Sequence, residues 1–135
     1  MKKLFAVLLL VFGVTAIAEA DVLKYRTTNF SIKVKDAYGY WGDWTDWQKC
    51  SVLVVLDSET ERVRIYSEEV QEFDIIKTVS GWKSDLEGGE ILEVACVDKF
   101  GSRCNMRFRQ QHDGQWQLYV DYADAMYVYN INLVQ

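Results

Sequence analysis

From Ile91 to Val134 apolar and polar side chains alternate at a period of two, and Gly101 and Gly114 punctuate the alternation. A period of two marks a strand with one buried face. Lys99-Phe100-Gly101 and His112-Asp113-Gly114 each fit a three-residue hairpin loop with glycine at the left-handed position. The first loop sets Cys96 opposite Cys104, Val94 opposite Met106 and Leu92 opposite Phe108. The second sets Phe108 opposite Leu118, Met106 opposite Val120 and Cys104 opposite Tyr122. All of these fall on one face. A two-residue Asp113-Gly114 turn would put Arg109 against Leu118 and flip every side chain, so the pattern selects the longer loop. A four-residue loop over Ala123–Met126 continues the face, with Val120 against Tyr129 and Leu118 against Ile131. On the other face Arg107 falls between Glu93 and Tyr119. Acids interleave the arginines there, which reads as a solvated ladder and not as a basic stripe.

Alternation extends upstream. Val22–Thr27 and Phe30–Lys35 read as strands separated by a phase break at Thr28-Asn29, the signature of a bulge or turn. Ser51–Asp57, Arg62–Ser67 and Gln71–Val79 follow, and Ser80–Gly89 reads as a polar loop. A loop at Ser58–Glu61 sets Val54 against Ile65 and Leu56 against Val63. A turn at Glu68–Val70 sets Ile65 against Phe73. The expectation is an all-β, antiparallel up-and-down meander of about eight or nine strands. A sheet of that length with one apolar face has to close or fold over. A small barrel is expected, with a β-sandwich or half-open sheet as the alternative.

Residues 1–20 read as a secretory signal peptide. Lys2 and Lys3 supply the positive start, an apolar run follows, and Ala18-Glu19-Ala20 is an A-x-A cleavage site. The paired lysines and the brevity of the leader are of a bacterial kind. Residues 21–135 then form a single exported domain, periplasmic or secreted, with no membrane anchor after cleavage. The whole chain carries a net charge of −5, and loss of the leader makes it more acidic. Nucleic acid and anionic membrane both require a basic footprint, so neither is an expected partner. Half the residues are hydrophobic, which excludes a disordered chain.

The densest aromatic stretch is Tyr38-Gly39-Tyr40-Trp41-Gly42-Asp43-Trp44-Thr45-Asp46-Trp47, with three of the five tryptophans at three-residue steps. On a strand Trp41 and Trp47 share a face and Trp44 opposes them. At least one indole then lies at the surface or at a cavity mouth. Flat rings beside carboxylates suit a sugar or a flat amphipathic ligand. Tyr38, Tyr40, Trp41, Trp44 and Trp47 are accordingly the candidate ligand-binding residues. The alternative is a structural aromatic plug.

Gly39-Tyr40-Trp41, and again Gly42-Asp43-Trp44, resembles the Gly-x-Trp of the lipocalins and wider calycin barrels. The meander of hairpins is also similar. The resemblance implies a barrel able to hold a small, mostly apolar ligand, with the motif opening the first barrel strand and Trp41 packing across the closed end. The chain departs from that family in its short length. No Arg follows the last strand, and Thr45-Asp46-Trp47 lies beside the first motif instead of later in the barrel.

Three cysteines follow the leader. Cys96 and Cys104, directly opposed, are the candidates for a disulfide. Three reduced thiols, or a bond from Cys50 to either partner, are the other arrangements. No cysteine or histidine spacing fits zinc. His112, the only histidine, reads as a solvated turn residue. The pairs Asp43/Asp46 and Asp121/Asp124 match no metal loop and read as turn residues. The sequence thus points to a monomeric, non-catalytic binding protein for a small amphipathic or apolar ligand, without cofactor or metal. A protein-interaction module with a filled core, such as an inhibitor or envelope-assembly factor, is the alternative. An enzyme acting on carbohydrate through the Asp residues ranks third.

Overall fold

The computed structural model describes residues 22–134, so the leader expected over residues 1–20 lies outside the described residues. Nine antiparallel strands follow one another: β1 (Val22–Val34), β2 (Gln48–Lys49), β3 (Leu53–Asp57), β4 (Arg62–Ile65), β5 (Gln71–Ser84), β6 (Glu90–Asp98), β7 (Arg103–Gln110), β8 (Trp116–Asp121) and β9 (Ala125–Val134). Each of β3 to β9 pairs with the next, and β1 pairs with both β3 and β9. Eight strands therefore close into an up-and-down barrel, and β2 is a short extra strand beside β1. There is no helix among the described residues. Closure of this kind is consistent with a small calycin-like barrel.

The alternation is what builds the core. Leu23, Tyr25, Leu56, Val63, Phe73, Leu92, Val94, Met106, Phe108, Leu118 and Val120 are buried in one contiguous cluster. Eight strands enclose an interior that side chains of this size fill. The hairpin registers match the sequence reading: Cys96 opposes Cys104, Val94 opposes Met106, Phe108 opposes Leu118, and Leu56 opposes Val63. Gly101 and Gly114 have φ of 86° and 87°, the left-handed conformation that the three-residue loops require. The phase break at Thr28 is a bulge. It shifts the register of β1 against β9 between Thr27 and Asn29 and returns Phe30 to the inside.

Three expectations are corrected. Tyr129 pairs with Leu118 and Tyr127 with Val120, because the β8–β9 turn is tighter than expected, with Tyr122 N–H donating to Ala125 C=O at 2.8 Å. Phe73 pairs with Val63, and Ile65 with Gln71, because the β4–β5 loop is longer. Both slips are of two residues. A two-residue slip leaves every side chain on its own face, so hydrophobic pattern cannot detect it. The third correction is that β5 runs on to Ser84, through residues read as a loop. Its pairing with β6 shifts register three times between Ile75 and Lys83. Bulges destroy the period of two, but the ladder still satisfies the backbone of β6.

A meander places its turns alternately at two ends. The loops at 66–70, 99–101 and 122–124 form one rim, and β1 leaves the barrel there. The loops at 58–61, 85–89 and 111–115 form the other end. At that end Trp82 and Trp116 meet edge to face, with centroids 5.9 Å apart, and pack against the core.

Candidate functional site

Inward-facing strand positions reach the rim as Gln71, Asp98, Tyr122, Tyr127 and Phe30, which continue the faces of Phe73, Cys96, Cys104, Val120 and Tyr129. Between the β4–β5 loop and the β6–β7 turn lies a cavity of about 340 Å³, lined among others by Val70, Gln71, Phe73, Asp98, Phe100 and Tyr122. That volume is at the lower end of small-molecule sites, roughly 300–1,000 Å³.

The polar groups of the rim are fixed. Tyr122 Oη donates to Asp98 Oδ2 at 2.8 Å, while Asp98 Oδ1 accepts the N–H groups of Phe100 (3.0 Å) and Ser102 (2.8 Å). Burial alone would raise the Asp98 carboxyl. These three hydrogen bonds outweigh it and hold the group below the usual carboxylate range. Burial, and then the Asp98 carboxylate, push the Tyr122 phenol up, so it stays a donor. Tyr122 meets Tyr127 edge to face at 6.3 Å. Lys99 Nζ donates to Val70 C=O at 2.6 Å and lies 3.6 Å from Glu69, which ties the β6–β7 turn to the β4–β5 loop. Phe100 is 74% exposed beside it. The arrangement offers an apolar recess edged by one cation, Lys99, one amide, Gln71, and four carboxylates, Glu68, Glu69, Glu72 and Asp98. Alternation in the sequence sets Tyr122 opposite Cys104 but carries no mark of the rim. The available signal was Asp98, a carboxylate two residues beyond inward-facing Cys96.

The five aromatic residues singled out in the sequence lie elsewhere, and none of them lines the rim cavity. After β1 the chain turns at Asp36–Tyr40, where Asp36 Oδ1 accepts the N–H groups of Tyr38 (2.8 Å) and Tyr40 (3.0 Å). It then runs back beside β1. Gly42 N–H donates to Val34 C=O at 2.8 Å and Thr45 N–H to Ile32 C=O at 2.9 Å. Thr45 Oγ1 accepts Ile32 N–H at 3.0 Å, and Ser31 Oγ donates to Thr45 C=O at 2.6 Å. This segment covers the outer wall, where paired Ser31 and Val128 are buried.

Trp41 and Trp44 are therefore outside the barrel. The ammonium of Lys33 stands 5.6 Å from one ring and 5.3 Å from the other, and Lys35 stands 5.0 Å from Trp41. Trp44 meets Tyr119 of β8 edge to face at 6.1 Å, and Arg107 stacks 4.0 Å from Tyr119. Trp41 and Trp44 thus share one side. The expected opposition fails because residues 42–47 are not a regular strand. Trp41 does not take the position that the resemblance implies, and it is Trp82 and Trp116 that pack against the core at the 58–61 end. Tyr38, Tyr40 and Trp47 are exposed.

Cys96 and Cys104 face each other as the register requires, yet all three cysteines are free thiols. Burial pushes both opposed thiols up, Cys104 to about 12. Cys50 sits near the bulge, its Sγ 3.2 Å from Thr27 Oγ1. His112 is exposed at its turn. Asp121 is bound by both Nε and Nη2 of Arg107, while Asp43 and Asp46 are exposed. No cluster of three His, Cys, Asp or Glu among the described residues is placed to hold a metal. No protein-family model, curated protein or solved structure matches the chain.

Proposed function

We propose that this chain is an exported, non-catalytic binding protein that takes a small amphipathic ligand at the barrel rim. The cavity bordered by Phe73, Tyr122 and Phe100 carries this reading. An apolar body fits against those rings, and a hydroxylated head fits beside Gln71 and Lys99, while Glu68, Glu69, Glu72 and Asp98 on the same lining disfavour an anionic one. The filled interior supports a guest held at the mouth, shallower than a guest enclosed in a wide lipocalin cavity. The calycin likeness enters the proposal only through the closed meander and the ligand class it implies.

Native mass spectrometry of purified protein, followed by calorimetry against fatty alcohols, retinol and sterols, tests the reading. Phe100→Ala and Lys99→Ala change exposed or half-exposed rim residues, so both are expected to fold and to weaken binding about tenfold. A panel without a binder, together with a protein that co-purifies with nothing, overturns it. The filled interior also favours a second reading, a protein-interaction module. A stoichiometric protein complex that survives Phe100→Ala would support that reading instead.

A further inference from the structure

We propose that the outer-wall pair of Trp41 and Trp44, with exposed Trp47 three residues further along the chain, is a second binding site, and that its ligand is a neutral glycan chain. It is independent of the rim, since none of its rings lines the rim cavity.

Four observations carry the assignment. First, the strip is preorganised. Five hydrogen bonds tie residues 42–45 to β1, and Trp44 meets Tyr119 edge to face. A ligand meeting fixed rings forfeits less ordering entropy. Second, the rings reach solvent: Trp41 is 36%, Trp44 37% and Trp47 49% exposed, with Lys33 standing over the first two. Exposed indoles grouped together mark an interaction site, whereas single ones do not.

Third, the pattern repeats. Gly42-Asp43-Trp44 and Thr45-Asp46-Trp47 each put a carboxylate directly before an indole. Three residues of chain span at most about 10–11 Å, comparable to two hexose units of an extended glycan. A ligand with a repeating unit is what a repeated ring-and-carboxylate unit fits. Sugar C–H faces stack on the rings, and hydroxyls donate to the carboxylates and accept from Lys33. Fourth, the stretch of chain from Lys33 to Lys49 balances its charges within an acidic chain. Lys33, Lys35 and Lys49 are matched by Asp36, Asp43 and Asp46, whereas the chain carries −5. A polyanion finds no net attraction here, and neither does an anionic lipid surface.

The test is tryptophan quenching and calorimetry of the intact exported domain against neutral hexasaccharides of β-1,4 and α-1,4 glucose, xylose and mannose. At least one is expected to bind, and Trp41→Ala/Trp44→Ala is expected to weaken it at least tenfold while any rim ligand still binds. Trp47→Ala, at the most exposed of the three indoles, guards against misfolding of the double variant and is expected to weaken binding at least threefold. The assignment is overturned if no hexasaccharide binds, or if the variants bind as the parent does. It is equally overturned if the strip instead drives association with phosphatidylcholine vesicles, with no glycan binding.

Discussion

Two tryptophan clusters share this barrel and have opposite fates. Trp82 and Trp116 sit at strand positions whose phase points inward, and they stack edge to face over the core. Trp41, Trp44 and Trp47 belong to a segment outside the ladder, and they face solvent on the outer wall. The richer cluster is the exposed one. Aromatic density therefore does not locate the interior. The phase of a residue within a paired strand does, because pairing fixes which side of the sheet it faces.

The contrast between inside and outside can be broken in several ways. The largest effect is on thiol chemistry. In native protein Cys50 is expected to react with an alkylating reagent at pH 8, while Cys96 and Cys104 react about a thousandfold more slowly, at the pace of unfolding. Three thiols titrate after denaturation. One thiol at that stage would reveal a Cys96–Cys104 bond.

Next comes stability. Trp116→Ala is expected to cost about 3 kcal/mol, and Trp44→Ala less than about 1 kcal/mol, by urea denaturation. Equal losses would erase the distinction between the clusters. On the outer wall Arg107 holds Asp121 at two points, and their side chains are 25% and 14% exposed. Arg107→Ala is expected to cost roughly 1.5 kcal/mol. It should also loosen Tyr119, and thereby Trp44, which a shift in tryptophan emission would report.

The far end adds a pH signature. Arg109 Nε donates to Asp85 Oδ2 at 2.7 Å, and the N–H groups of Glu87 and Gly89 donate to Asp85 Oδ1 at 2.8 Å. The Arg109 bond, followed by that of Gly89, lowers the carboxyl to about 2. Its contribution is complete above the unfolded value near 4 and is lost as pH falls through about 2. Parent protein is therefore expected to lose stability between pH 4 and pH 2 more steeply than Asp85→Asn, with urea midpoints as the measure. The smallest effect belongs to Lys33→Ala, about 0.5 kcal/mol, because exposed cation–π contacts are weak.

The sequence was most informative where faces and turns agreed. Gly101 and Gly114 each allowed one loop length that kept Met106 and Val120 inside, and both hairpins formed as expected. Where only faces were available, at β4–β5 and β8–β9, pairing slipped by two residues without moving any side chain across the sheet. The end of β5 was hidden because its bulges break the alternation from which strands are read. The aromatic segment was visible as chemistry but not as a place. What pins it to the outer wall is Thr45, whose hydroxyl and backbone take up the edge of β1. The rim was the least legible, because Asp98 and Tyr122 come from different hairpins, 24 residues apart.

The seam between β1 and β9 sets the tempo of the whole molecule. Asn29 and Asn130, 101 residues apart, share a hydrogen bond across it. The first strand of the barrel waits for the last before its second edge is covered. Loop-closure entropy makes that joining late and slow, and the uncovered edge is a template for self-association in the meantime. Loss of the final ten residues would strand the sheet in this half-made condition, whatever the quality of its central hairpins.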